Sequence, residues 1–182
     1  MAGGIGIGGK GISVGGETVI NPTVNAVSTV ALDAESYVNQ LPSATDTPLQ
    51  ISFGNAQTTS IINLQANGTI TFVASGYFDI RIRVNVGRTN NTGIAVLLAR
   101  ALVNGTQLGP TQSVRMNNAA FNIPLEFTFS IFPFLGTQLK FEIMRDSSGV
   151  DDGGIFAFDP TLPGWNNSAS ADILITSWIG LS

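Results

Sequence analysis

The side chains best equipped for chemistry lie late in the chain. Asp146, Asp151 and Asp152, with Ser147, Ser148 and Gly149 between them, form an oxygen-rich loop. Hard cations such as Ca²⁺ take oxygen ligands of this kind, but the spacing departs from the D-x-[DN]-x-[DN]-G pattern of a calcium loop. A solvated acidic turn without metal is the expectation. Phe156, Phe158 and Trp165 follow in the same long loop, Ser147 to Ser170. Their rings suit stacking on sugars or pinning the loop to the domain, and pinning is the simpler expectation.

A nucleophile with a base is harder to assemble. The chain has no His and no Cys. That removes the Ser–His–Asp triad, the Cys–His dyad, zinc fingers and disulfides. Glycoside hydrolysis needs two acids flanking a cleft, whereas the 12 acids fall mostly on turns or water-facing strand positions. Gly8-Gly9-Lys10-Gly11 lacks the Ser or Thr after lysine that a phosphate loop requires. Neither enzymatic activity nor a cofactor is expected.

Composition points to assembly. Of 182 residues only 11% are charged, against about 25% in average domains, while 43% are hydrophobic. The polar remainder is Asn, Thr, Ser, Gln and Gly, which suits strands, turns and surfaces buried against other copies. The net charge of −4 provides no basic surface for nucleic acid. No apolar run approaches the ~20 residues of a membrane-spanning helix. Met1-Ala2-Gly3-Gly4 has neither the basic nor the apolar region of a signal peptide, so the sequons at Asn67, Asn90, Asn104 and Asn166 read as chance products of an Asn/Thr-rich chain.

The elements that must position these residues are strands. Residues 1–48 read as an extended, Gly-rich N-terminal arm. In it Ile5, Ile7, Ile12 and Val14 alternate with Gly or Ser, as in a strand added to a neighbour. These four are the candidate docking residues. Val27, Val30, Ala31, Ala34, Val38 and Leu41 have helical spacing, with Ser28 as a cap, while the β-branched content opposes a helix. From Leu49 to the end the chain reads as one all-β domain. Strands are expected at 49–53, 61–65, 69–74, 77–86, 94–103, within 112–118, and at 124–131, 139–144 and 171–179, with two-residue turns at Asn67-Gly68 and Asn104-Gly105.

Two strands lack a polar face. Ile94, Val96, Leu98, Arg100 and Leu102 alternate with Ala95, Leu97, Ala99, Ala101 and Val103; in the last strand Ile173, Ile175 and Ile179 alternate with Leu174, Thr176 and Trp178. Only one face of each sheet in a sandwich meets the core. The second is therefore expected to be covered by the arm, by loops or by another subunit. Oligomerisation is the favoured reading, with Ile94, Val96, Leu98, Arg100, Leu174 and Trp178 as interface candidates. Arg100 then needs a carboxylate, with Glu142 or Asp172 as its partner.

The run Asn67-Gly68-Thr69-Ile70-Thr71-Phe72-Val73-Ala74-Ser75-Gly76-Tyr77-Phe78-Asp79-Ile80 resembles the TNF/C1q-like jelly roll: an NGT turn, a short strand, then a Gly-Tyr step into a long strand. Val96–Gly105, Gly136-Thr137-Gln138-Leu139 and the apolar final strand ending at Trp178 extend the likeness over residues 49–180. The resemblance implies a two-sheet antiparallel jelly-roll sandwich that forms homotrimers. It implies strands 94–103, 139–144 and 171–179 on the inner sheet and 77–86 and 124–131 on the outer. Lys140 and Glu142 depart from it by making an inner face polar. Such domains also occur in bacteriophage virions, and the Gly-rich arm and absence of Cys suit that group. The expectation is a non-enzymatic, trimeric capsid-decoration protein located in the virion, docked through its arm on the major capsid protein or another virion protein. The alternative is a fibre-tip or receptor-binding module reading host glycans with the 147–170 loop.

Overall fold

The computed structural model describes residues 6–8, 11–14, 17–19 and 27–179. Three short strands come first: β1 (Gly6–Gly8), β2 (Gly11–Val14) and β3 (Glu17–Val19), forming an antiparallel meander of their own. The candidate docking residues Ile7, Ile12 and Val14 lie in it, and Ile5 lies outside the described residues. Then follow β4 (Val27–Ser36), β5 (Leu49–Gln50), β6 (Gln57–Thr58), β7 (Ile62–Leu64), β8 (Ile70–Phe72) and β9 (Tyr77–Arg88). The chain continues through β10 (Ala95–Val103), β11 (Thr106–Met116), β12 (Ala120–Ile131), β13 (Gln138–Arg145), β14 (Gly154–Ile155) and β15 (Ala171–Ile179).

Two antiparallel sheets face each other. One runs β12-β9-β15-β4, with β14 extending the ladder of β9. The other runs β11-β10-β13-β8-β7-β6, with β5 also on β13. Counting β4, β8, β9, β10, β11, β12, β13 and β15 as first to eighth, the sheets read first–eighth–third–sixth and second–seventh–fourth–fifth. That interleaving is the jelly roll. The core between the sheets holds Phe53, Phe72, Phe78 and Phe141 with Ile51, Ile62, Ile70, Ile80, Ile82, Ile173 and Ile175. The Phe72 and Phe78 rings lie 4.8 Å apart, and Phe53 meets Phe141 edge-on.

Three expectations change. The sandwich begins at Val27 rather than Leu49, because β4 pairs with β15 from Val27↔Ile179 to Ser36↔Ala171. Residues 27–36 are thus strand, not helix. The sheet assignment also changes: 94–103 and 139–144 do pair, but 171–179 lies in the opposite sheet, between β9 and β4. Strands 77–86 and 124–131 share that sheet with it. Finally, the weak strand within 112–118 is the end of β11, which starts directly after the Asn104-Gly105 turn and carries a bulge where Gly109 and Pro110 interrupt the alternation.

Candidate interaction surfaces

The acidic loop is structural. Arg88 ends β9 on its core-facing side, in step with Phe78, Ile80, Ile82, Val84 and Val86, and is fully buried. Its guanidinium donates to Asp152 Oδ2 at 3.1 Å and to the carbonyl oxygens of Gly93, Met116 and Thr92 at 2.8 Å each. One buried cation thereby ties together the ends of β9 and β11, the turn before β10 and the 146–152 loop. Desolvation, the largest effect on Asp152, pushes its carboxyl up. Hydrogen bonds from the Asn90 and Gly153 N–H groups and from Arg88 outweigh it and hold the carboxyl below the usual range.

Asp151 pairs with Arg145 at 3.0 Å, and Asp146 accepts the Ser148 N–H at 2.8 Å. The three carboxylates thus have separate partners. Among the described residues no group of three acids is placed to hold a metal.

The interface candidates divide between opposite faces of the sandwich. Ile94, Val96, Leu98 and Arg100 belong to the β10 side. Val96 is only 5% exposed because its own chain covers it: the Asp146 N–H donates to the Val96 carbonyl, the Val150 N–H to that of Ile94, and Gly149 approaches so closely that a Cβ there would lie 2.9 Å from the Val96 nitrogen. Arg100 takes Glu142 as partner, with Nε and Nη2 both donating to Oε2 at 2.9 and 2.7 Å. Beside this pair a pocket of about 150 Å³ is lined by Pro48, Leu98, Thr111 and Met144.

Leu174 and Trp178 face outward from the other sheet. There Asp79 accepts hydrogen bonds from Ser130 and from the Trp178 indole, which hold its carboxyl below the usual range. Asp172 lies beside Arg83 on β9 and Glu35 on β4. Burial, the largest effect, together with the charges of Glu35 and Glu126, raises its carboxyl against the lowering by Arg83 and Arg81.

Among the described residues, three stretches of uncovered apolar surface stand out. The first is the open edge between β11 and β12, a cleft of about 250 Å³ reaching Phe127 and Phe129 past Leu108, Gly109 and Pro110. The second is the end where β4 begins, with Tyr77, Trp178, Phe132, Phe134 and Leu135 exposed. The third is the opposite end, with Tyr37, Val38, Leu41, Phe158, Leu162 and Trp165 exposed.

At this third place a Phe158–Ser168 bridge closes the 157–170 loop, and Asn85 Nδ2 anchors it on Ser168 Oγ at 3.1 Å and the Ala169 carbonyl at 2.5 Å. Of the loop aromatics Phe156 is buried, whereas Trp165 is 71% exposed. Pinning therefore describes Phe156 and not Trp165. Sequence reasoning misses the two end clusters because their members come from separate loops. Phe132-Pro133-Phe134-Leu135, an apolar run at a strand end, is a local signal for one of them.

No protein-family model and no curated protein matches the chain. Solved structures give distant likenesses. The Eiger TNF of S. frugiperda is 9% identical with a TM-score of 0.39, over 83% of this chain and 94% of that one. Dimeric latent PorU of Porphyromonas gingivalis is 10% identical with a TM-score of 0.42; this chain, matched over 93% of its own length, covers 14% of PorU. A family 35 carbohydrate binding module from an environmental isolate is 13% identical with a TM-score of 0.34, over 80% and 96% of the two chains. The jelly-roll assignment rests on the strand order described above.

Proposed function

We propose that the protein is a non-enzymatic structural component of a bacteriophage virion: a homotrimeric capsid-decoration protein that docks on the shell through the segment preceding Val27. The observation that carries this reading is the position of chain entry. β4 begins at Val27, opposite Ile179, at the end where Tyr77, Trp178, Phe132, Phe134 and Leu135 are exposed. The segment that carries the candidate docking residues therefore joins the sandwich at its apolar end. The open β11–β12 edge, with its route to Phe127 and Phe129, supplies apolar surface for self-association. The test is addition of purified protein to undecorated capsids. Saturable, stoichiometric binding that is lost on deletion of residues 1–20 is expected. Absence of binding, or sedimentation as a single-chain species at micromolar concentration, would overturn the respective part of the reading.

A second reading has its own observation in favour. Phe158 and Trp165 are exposed on a loop anchored by Asn85 and Ser170, and Tyr37, just beyond β4, is exposed at the same end. Exposed rings on a rigid base suit stacking against sugars of a host surface. Binding to host cells that Trp165→Ala abolishes, with none to capsids, would favour recognition over decoration.

A further inference from the structure

A sheet edge is a row of unpaired N–H and C=O groups, and proteins blunt it with short strands, bulges, proline or a covering loop. The two facing sheets end on β4, β6, β11 and β12. β6 is two residues long. β4 is covered by its own chain: Gly54 packs so closely that a Cβ there would lie 2.4 Å from the Glu35 carbonyl oxygen, and Gln57 Nε2 donates to the Asp33 carbonyl at 3.5 Å. β11 is bulged, with Pro110 inside it and Gly109 at φ +68°. β12 has none of these devices between Leu125 and Ile131, where its pairing with β9 runs without a shift.

Which of its groups are free follows from β9. The Asn85 N–H donates to the Ser170 carbonyl at 2.9 Å, and the Asn85 carbonyl accepts from the Phe156 N–H at 2.8 Å, both away from β12. Asn85↔Pro124 is therefore a pair without mutual hydrogen bonds. Bonded and non-bonded pairs alternate along an antiparallel ladder. Glu126, Thr128 and Ser130 thus also turn their N–H and C=O groups away from β9, onto the open edge. Among the described residues nothing partners those groups. Pro124, which has no N–H, stands where the next donor would be and bounds the free run.

The run is self-complementary. Its only charge is Glu126. Antiparallel pairing with a second copy about a two-fold axis at Thr128 sets Glu126 opposite the partner's Ser130 and Thr128 opposite the partner's Thr128. In no other symmetric register does every free residue meet another free residue. It also keeps the two Glu126 carboxylates from facing each other. On the core side, Phe127 falls opposite the partner's Phe129 and Leu125 opposite the partner's Ile131. These apolar cross-strand pairs close the cleft that reaches Phe127 and Phe129. Phe132, 63% exposed, falls opposite the partner's Pro124.

We infer that two copies of this chain pair edge to edge through β12, antiparallel about Thr128, so that their β12-β9-β15-β4 sheets become one continuous sheet. The inference rests on the self-association reading and adds a two-fold contact to the three-fold one of a trimer, which makes the number of chains even.

The test uses the full chain. Thr128 is exposed on the solvent face, so Thr128→Glu and Thr128→Lys leave the core intact. Each variant alone sets like charges opposite each other at the axis and should weaken association about tenfold or more in sedimentation. An equimolar mixture of the two should associate again, because opposite charges then meet. Amide exchange at Glu126 and Ser130 should be about tenfold or more faster in Thr128→Glu than in the parent, with Ser113 and Arg115 of β11 unchanged. A single-chain species at ~100 µM, association that Thr128→Glu leaves unchanged, a mixture that stays apart, or equal exchange in parent and variant overturns the inference. A trimer indifferent to Thr128→Glu overturns the edge pairing and leaves the trimer standing. A pair of chains that Thr128→Glu separates supports the edge pairing and overturns the trimer.

Discussion

Replacing Arg88 by Met should be among the most damaging single changes in this chain. The methionine fills most of the volume of the arginine stem but carries no donors. Asp152, 17% exposed at its side chain, would lose its cation, and the carbonyls of Gly93, Met116 and Thr92 would each lose a bond of 2.8 Å. Removing one partner of a buried ion pair costs about 3–5 kcal/mol, because the other is left charged and poorly solvated. Domains have about 5–15 kcal/mol in total. For a chain of this size the loss corresponds to a fall in Tm of roughly 6–20 °C. Urea unfolding followed by circular dichroism and by tryptophan fluorescence measures it, with an unchanged m-value certifying that compactness is preserved. Asp152→Asn should cost less than Arg88→Met, since the amide oxygen still accepts from Arg88 and from Asn90. The double variant should cost less than the sum of the two. A loss below about 1 kcal/mol for Arg88→Met would refute the reasoning, because it would mean that the site satisfies its carbonyls and carboxylate equally well without the guanidinium.

Three further outcomes are expected. Arg100→Met, which removes a half-exposed pair with Glu142, should cost less than about 1 kcal/mol in the same assay, in contrast to Arg88. Gly68→Ala should cost about 2 kcal/mol or more in thermal unfolding: Gly68 has φ +85°, and an added Cβ would fall 1.8 Å from the Ile51 carbonyl oxygen. The pH dependence of the urea midpoint should have two parts of opposite sign. Asp152 is depressed in the folded state, so its stabilisation is complete above the unfolded carboxylate pKa and is lost as pH falls through the folded value. Asp172 is raised, so its contribution is greatest below the unfolded pKa and is lost as pH rises through the folded one. Asp172→Asn should therefore raise the midpoint at neutral pH relative to the parent, and Asp152→Asn should flatten the acid limb.

The strands with clean alternation are legible in the amino-acid sequence alone. Phe78, Ile80, Ile82, Val84 and Val86 mark β9, and Leu125, Phe127, Phe129 and Ile131 mark β12, because a period of two needs only local sequence. Asn67-Gly68 and Asn104-Gly105 are turns for an equally local reason: Gly68, Asn104 and Gly105 all have positive φ. β4 is ambiguous because the ladder shifts register between Ile175 and Thr176, against Leu32 and Val30, so that Ala31 and Leu32 are both buried while Val30 is exposed. A bulge breaks the period of two and leaves spacings of three and four that imitate a helix. The core-side position of Arg88 also continues a visible alternation. Its four acceptors come from three separate segments, and no local pattern announces them.

What the residues determined unaided was the class: an all-β domain with sharp turns, few charges and no imidazole or thiol chemistry. These follow from side-chain type and short-range period, which each segment carries in itself. Sheet membership required the tertiary structure, since β10 and β15 look alike in isolation and yet lie on opposite sides of the core. Hydrophobic alternation records that a strand has a buried face; which partner lies across the ladder is set by long-range pairing of backbone groups that are chemically the same in every strand.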